Sequence, residues 1–253
     1  MNCVILAGGK VVVDDPLFPF SKGNPKALIE MGGKALVQWV AEAMVDAESV
    51  DHIAIVGIKK SQLPPLSQPI DFLPDLGDLV SNGYSGMEWS QEIGSDTAAT
   101  LFCTGDLPTV TGAFVDEHIA ICQPFDKAAY YAFVTKESME TRFPEAVRTY
   151  TRLDGVDAAS CDIVLLRPEL AAGNKELFNS FTRVRKHPWK TAKLVGARTL
   201  VELLLGRMSI EKIEETAQRI LGQQVHVFFS ERAELAMDVD KPSHLELLRS
   251  EFE

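Results

Sequence analysis

Six short apolar runs recur along the chain: Asn2–Leu6, His52–Val56, Thr100–Thr104, Tyr130–Val134, Asp162–Leu166 and Val225–Phe229. Each is rich in β-branched or aromatic residues and bounded by Gly, Pro, Asp or charge, which reads as a buried strand. The stretches Lys34–Ala47, Asp78–Glu92, Thr111–Cys122 and Pro168–Phe181 between them have helix length, and Thr111 is placed to cap the third. Strands that alternate with helices bury themselves in a largely parallel sheet covered on both faces, so the expected class is α/β. Two stretches depart from the rhythm. Asp14–Asn24, with two prolines and a glycine, reads as a long loop after the first strand. Residues 182–222 read as two or three consecutive helices ending at Gly222, a helical insertion before the last strand. No repeat or low-complexity linker divides the chain, and residues 1–253 are expected to form a single domain.

Composition narrows the class of partner. A chain of 253 residues with 46% hydrophobic and 24% charged content can bury a sizeable core without a disulfide or metal staple. Lys and Arg number 25 against 36 Asp and Glu, a net charge of −11. That excess argues against nucleic acid and against an anionic lipid surface as partners. No stretch reaches the ~18 consecutive apolar residues of a membrane helix, so no membrane insertion is expected. The N-terminus lacks the basic segment of a signal peptide, which points to the cytoplasm. Cys3, Cys103, Cys122 and Cys161 form no CxxC or zinc spacing and are expected to be buried, reduced thiols.

Four segments carry chemistry. The first strand runs into Leu6-Ala7-Gly8-Gly9-Lys10, where two glycines at a strand's carboxyl end let backbone amides approach phosphate oxygens, or simply make a tight turn. No GxGxxG follows, and Gly33-Lys34 precedes Ala35, so neither a dinucleotide fingerprint nor a P-loop is present. Asn24-Pro25-Lys26-Ala27-Leu28 offers a lysine near that turn, a point charge for a triphosphate. Gly105-Asp106-Leu107-Pro108 places a carboxylate at the end of a buried strand, suited to Mg²⁺ and its preference for oxygen ligands. Met237-Asp238-Val239-Asp240-Lys241-Pro242 adds two carboxylates before a terminal helix.

In this order, LAGG, PKALIEMGGKALV, GDLP and DVDKP followed by a helix, the chain resembles the nucleotidyltransferase superfamily of the GT-A type. Its members include sugar-1-phosphate nucleotidyltransferases and MobA-like transferases of molybdenum-cofactor chemistry. The resemblance implies a three-layer α/β/α Rossmann-like sandwich with a mixed, mostly parallel sheet. It implies that Leu6, Ala7, Gly8 and Gly9 line the nucleotide, with Asn82 and Gly83 near the base. Lys26 and Asp106 would be catalytic, Lys26 at the phosphates and Asp106 at Mg²⁺, with Asp240 matching the second metal acid better than Asp238. Two departures are visible. The path from Gly9 to Lys26 is long and includes Asp14-Asp15, and it lacks the family's arginine, for which Lys10 or Lys22 could substitute.

The activity implied is Mg²⁺-dependent transfer of NMP from an NTP to a phosphorylated small-molecule acceptor, with release of pyrophosphate. Such a displacement between anions needs positioning and charge neutralisation, and an ionised acceptor phosphate needs no general base. The histidines fit that, since no HExxH or His–Ser–Asp pattern exists and His52 and His118 read as packing or surface residues. The acceptor must meet positive charge. Arg183, Arg185, Lys186, Lys190, Lys193 and Arg198 form a basic run with no acid within it, making Arg185 and Lys186 the acceptor-binding expectation. The alternatives are a GT-A glycosyltransferase using a nucleotide sugar, for which Asp238–Asp240 is formally a DxD, and a catalytically inactive nucleotide-binding module. The nucleobase, the acceptor and the oligomeric state stay open at this level.

Overall fold

The structure is a computed structural model that describes residues 1–95, 97–184, 196, 199, 201–202 and 205–252. Its strands are β1 (Asn2–Leu6), β2 (Glu30–Met31), β3 (Lys34–Ala35), β4 (His52–Val56), β5 (Ile70–Leu73), β6 (Thr100–Thr104), β7 (Ala129–Thr135), β8 (Thr151–Leu153), β9 (Val156–Leu166) and β10 (Val225–Ser230). Its helices are α1 (Phe18–Ser21), α2 (Leu36–Asp46), α3 (Leu79–Ile93), α4 (Gly112–Ile121), α5 (Lys136–Arg142), α6 (Pro168–Val184), α7 (Ile210–Leu221) and α8 (Pro242–Arg249).

The main sheet runs β10-β7-β9-β6-β1-β4-β5, with β8 paired to β9. Strands β4, β1 and β6 are parallel neighbours, as are β10 and β7, while β9 runs antiparallel to both β6 and β7. The mixed, mostly parallel α/β sandwich expected from the sequence is therefore present. The strand expected at Asp162–Leu166 begins earlier, at Val156, because its first half pairs with β8 and with Phe133–Thr135 of β7. Helix α2 starts at Leu36, not Lys34, since Lys34 and Ala35 pair with Met31 and Glu30 in a small hairpin. The Thr111 hydroxyl accepts from the Phe114 N–H and caps α4 as expected.

Alternation along the strands splits the core between the sheet's two faces. Ile5, Ile55 and Val40 belong to the larger cluster with α2, while Val4, Val56 and Phe102 pack with Met87 and Trp89 of α3. The four cysteines are buried and free. Among the described residues no helix is long and apolar enough to cross a membrane.

The segment read as a loop at Asp14–Asn24 contains α1 and a core anchor, Leu17, which is 1% exposed. Both ends of the excursion are pinched together. Lys10 bridges to Pro25, and the Val11 N–H donates to the Asn24 carbonyl at 3.4 Å. Of the helical insertion expected at 182–222, the described residues hold α7, capped by Ser209 and closed by Gly222 in the left-handed region.

At the C-terminus, α8 and the residues after it fold back on the first half. The Phe252 ring packs on Trp39 with centroids 4.6 Å apart, and Arg142 holds Glu251 through two bonds of 2.7 and 2.6 Å and Glu234 through one of 2.8 Å.

Candidate active site

Three of the four sequence motifs meet at the carboxyl ends of β1 and β6. The Gly105 N–H donates to the Leu6 carbonyl and the Ala7 N–H to the Val56 carbonyl, both at 2.9 Å. A β-carbon at Gly105 would stand 3.1 Å from that of Ala27 and 3.2 Å from that of Ala7, so any side chain there would crowd the close approach of the three turns. The fourth motif docks through the Val239 N–H, which donates to the Asp106 carbonyl at 3.0 Å.

Gly9 takes φ +91°, and its N–H donates to Asp75 Oδ2 at 3.2 Å. Asn82 is buried beside this turn. Its Oδ1 accepts from the Leu76 N–H at 2.7 Å and its Nδ2 donates to Asp75 Oδ1 at 3.0 Å. Asn82 therefore braces the loop that supports Gly8 and Gly9, and the cap of α3 is Asp78, whose carboxylate accepts from the Ser81 N–H. The bond from Asn82, then that from the Gly77 N–H, hold the Asp75 carboxyl below its ordinary value.

Lys26 opens a short 3₁₀ turn directly after Pro25 and points its ammonium into a group of carboxylates. Nζ lies 2.5 Å from Asp106 Oδ2 and 3.7 Å from Asp238 Oδ2, and it bonds Asp240 Oδ1. Burial by itself lowers an ammonium's pKa, but Asp106 and Asp240 outweigh it and hold Lys26 well above the usual lysine value. Asp106, Asp238 and Asp240 each offer an oxygen within 4.8 Å of the others. Asp106 Oδ1 is buried with no hydrogen-bond partner among the described residues. An all-oxygen donor set with a spare buried carboxylate oxygen fits a hard divalent cation such as Mg²⁺.

Arg148 supports the triad from behind. Its Nη1 pairs with Asp238 Oδ1 and donates to the Asp238 carbonyl at 3.2 Å, and both side chains are about nine-tenths buried. The buried His244 fixes the same turn, its Nδ1 3.0 Å from the Asp238 carbonyl and 3.3 Å from the Asp240 nitrogen. Burial, opposed by Arg148 and reinforced by Asp106, raises the Asp238 carboxyl above the usual range. Asp240 goes the other way: burial would raise it, but its bonds with Asp238 and Lys26 prevail and lower it. A fourth acid, Asp162 of β9, lies behind them, and burial followed by the charges of Asp238 and Asp106 pushes it up to about 8. A polar cleft of about 220 Å³ opens here, lined by Arg148, Thr149, Asp162, Asp238, Asp240 and Lys241 among others.

Most residues singled out in the sequence thus converge. Ala7 lies against Gly105 and Ala27, while Lys26, Asp106 and Asp240 are in direct contact. Leu6 and Gly83 instead line an apolar cavity on the α3 side of the sheet. Lys10 bridges to Pro25 and so lies beside Lys26, whereas Lys22 takes a left-handed conformation closing α1. Arg185 and Lys186 lie outside the described residues. His118 is buried and packs on Phe228, while His52 is exposed at the start of β4. Asp75 and Asp162 had no motif to reveal them, while Arg148 stood out only as a basic residue flanking a predicted strand and His244 only as part of the segment after Asp240. An acid inside an otherwise apolar strand, as at Asp162, is the signal that was available.

Residues 3–180 match the MobA-like NTP transferase domain. The chain belongs to that family. Its members are nucleotidyltransferases, and the enzyme class follows from membership. Among solved structures, this MobA-like chain is similar to a hypothetical transferase from Thermus thermophilus, with 32% identity and a TM-score of 0.82 over 97% of this chain and 100% of that one. The fold is shared with 4-diphosphocytidyl-2C-methyl-D-erythritol synthase from Anaerococcus prevotii at 12% identity and a TM-score of 0.56, covering 99% of this chain and 96% of that one. It is shared also with CMP:2-keto-3-deoxy-manno-octonic acid synthetase complexed with CTP, at 11% identity and a TM-score of 0.56, covering 99% and 98%. No curated protein matches the chain.

Proposed function

We propose that this MobA-like protein transfers NMP from an NTP to a phosphorylated small molecule and releases pyrophosphate in a Mg²⁺-dependent reaction of the cytoplasm, with residues 1–253 acting as one domain. An oxygen of the acceptor phosphate forms a bond to the α-phosphorus while the bond from that phosphorus to the β-phosphate bridging oxygen breaks. The observation that carries the reading is the ammonium of Lys26 set against Asp106, Asp238 and Asp240, at the edge of the glycine turn.

Asp106 and Asp240, with Asp238 beside them, would hold the cation. When bound, Mg²⁺ neutralises charge on the nucleotide phosphates. The chain's own groups do the remainder. The turn at Ala7, Gly8 and Gly9 presents backbone to the nucleotide, with Asn82 and Asp75 bracing it from behind. Lys26 stabilises the departing pyrophosphate. Arg148 and His244 keep Asp238 and Asp240 in place, and no base is needed because the acceptor phosphate is already ionised. Charge supports the assignment. Three carboxylates against Lys26 and Arg148 leave one net negative charge, which a divalent cation converts to one net positive charge facing the triphosphate.

The test is pyrophosphate release with CTP, GTP, ATP and UTP, each with Mg²⁺ and a panel of phosphorylated acceptors. CTP heads that panel because a synthetase sharing the fold is complexed with it. Asp106→Ala should abolish Mg²⁺-dependent turnover with the fold intact. Full retention of activity would overturn the assignment.

A further inference from the structure

Beside the polar cleft lies a second cavity of about 320 Å³, a partly open space between the sheet and the two helices α3 and α6. Its floor is made by alternate residues of three neighbouring strands: Leu6 of β1, Phe102 and Thr104 of β6, and Asp162, Val164 and Leu166 of β9. Leu79, Gly83 and Met87 of α3 and Leu170, Ala171 and Phe178 of α6 form its walls. The two helices are tied across it by Tyr84, whose hydroxyl donates to the Ala171 carbonyl at 2.7 Å.

Three features distinguish this space from a packing defect. It has the volume of a small-molecule site, whereas ordinary voids in protein interiors barely exceed a water. Its rim exposes an apolar side chain, Leu79, at 52%. Two residues of its lining, Thr104 and Arg167, each carry a buried polar atom, Oγ1 and Nε, with no hydrogen-bond partner among the described residues. The cavity is also placed for the reaction. Asp162 belongs to its lining and to that of the polar cleft holding Asp238 and Asp240, and Thr104 lies two residues before Asp106.

We infer that this cavity receives the hydrocarbon body of the acceptor, so that the enzyme acts on a phosphate monoester with an apolar alkyl or aryl group rather than on a polyhydroxylated sugar phosphate. The inference rests on the nucleotidyl transfer proposed above, and it names the acceptor class for that site. An apolar body gains from a lining of Leu, Phe, Val and Met, while a sugar would strand most of its hydroxyls there, with Thr104, Tyr131, Asp162 and Arg167 as the polar side chains nearest the apolar wall.

Equilibrium binding of ethyl, butyl and hexyl phosphate, against glycerol 3-phosphate and glucose 1-phosphate, tests this on the full chain. Titrations are run with and without Mg²⁺ and a non-hydrolysable CTP analogue. Affinity should rise about fourfold for each added methylene, the gain expected for burying that group. Val164→Phe on the floor and Ala171→Leu on the wall should flatten the series while leaving nucleotide binding and the melting temperature near the parent values. Two variants on different elements guard against one of them misfolding. Nucleotide binding without any chain-length dependence, or a preference for the two polar phosphates, overturns the pocket and leaves the transfer reaction standing. Chain-length dependence without nucleotide binding overturns the transfer reaction, and with it the assignment of this pocket to an acceptor.

Discussion

A β-carbon at Gly57 would stand 2.2 Å from the α-carbon of Gly8, so the end of β4 and the turn at Gly8 touch backbone to backbone. Gly57 also takes φ +104°, a region costly to any residue with a side chain. Gly57→Ala should therefore destabilise the fold by at least about 1–3 kcal/mol through conformation alone, with the clash added. It should also push the turn at Gly8 away from the ligand. Nucleotide affinity by calorimetry should fall further than the loss of folded protein accounts for, as judged by circular dichroism.

Lys26 offsets part of the triad's negative charge. Lys26→Met should lower kcat by about 10²–10³, the usual cost of losing one charged donor to a transition state. It should also make the melting temperature more responsive to Mg²⁺ than in the parent protein, since three carboxylates then face one another with only Arg148 in support. An unaltered kcat together with an unaltered Mg²⁺ response would remove Lys26 from the site.

Arg148 and Asp238 form a pair that is nearly closed to solvent. Removing one member of such a pair strands the other, at a cost of about 3–5 kcal/mol. Arg148→Met should lose stability on that scale in urea unfolding. Adding Asp238→Asn to it should restore part of the loss, whereas two independent sites would give additive losses.

His118 supplies a pH dependence away from the chemistry. It is 1% exposed, neither ring nitrogen has a partner among the described residues, and burial lowers its pKa to about 4. The unfolded chain binds this proton near pH 6.5, the folded chain only near pH 4. The contribution is thus fully present above about pH 6.5 and is lost as pH falls from there through 4. At pH 5 the penalty is about 2 kcal/mol, and His118→Leu should flatten that part of the stability curve.

What was legible in the sequence follows from how locally each property is encoded. The boundaries of β1, β4 and β6 could be read to the residue, because a buried parallel strand is one apolar run between breakers. The edge strand β5 could not, since Ile70–Leu73 carries Asp71 and follows a proline-rich stretch. The short β8 was hidden for a similar reason: three residues show no period.

The site divides the same way. Lys26, Asp106 and Asp240 stand in motifs whose order is informative. Arg148 and Asp238 are partners separated by 90 residues, and nothing near either one announces the other. Asp162 was visible only as the polar start of an apolar run, because alternation does not tell which face of β9 meets the acids. The long path from Gly9 to Lys26 misleads when counted in residues. Pinching at Lys10 and Pro25 makes it a side excursion that leaves the lysine where a short path would put it.

The carboxylates at 238 and 240 follow the last strand of the sheet, yet they close onto Lys26 and Asp106 from the first half of the chain. A nascent chain that has emerged only as far as β10 carries the glycine turn and its lysine with a single acid opposite. It lacks as well the grip of Arg142 on Glu251 and the packing of Phe252 on Trp39. Assembly of the triad thereby waits on the segment that follows β10. A chain cut directly after β10 would keep every strand of the main sheet and lose two of the three carboxylates that meet Lys26.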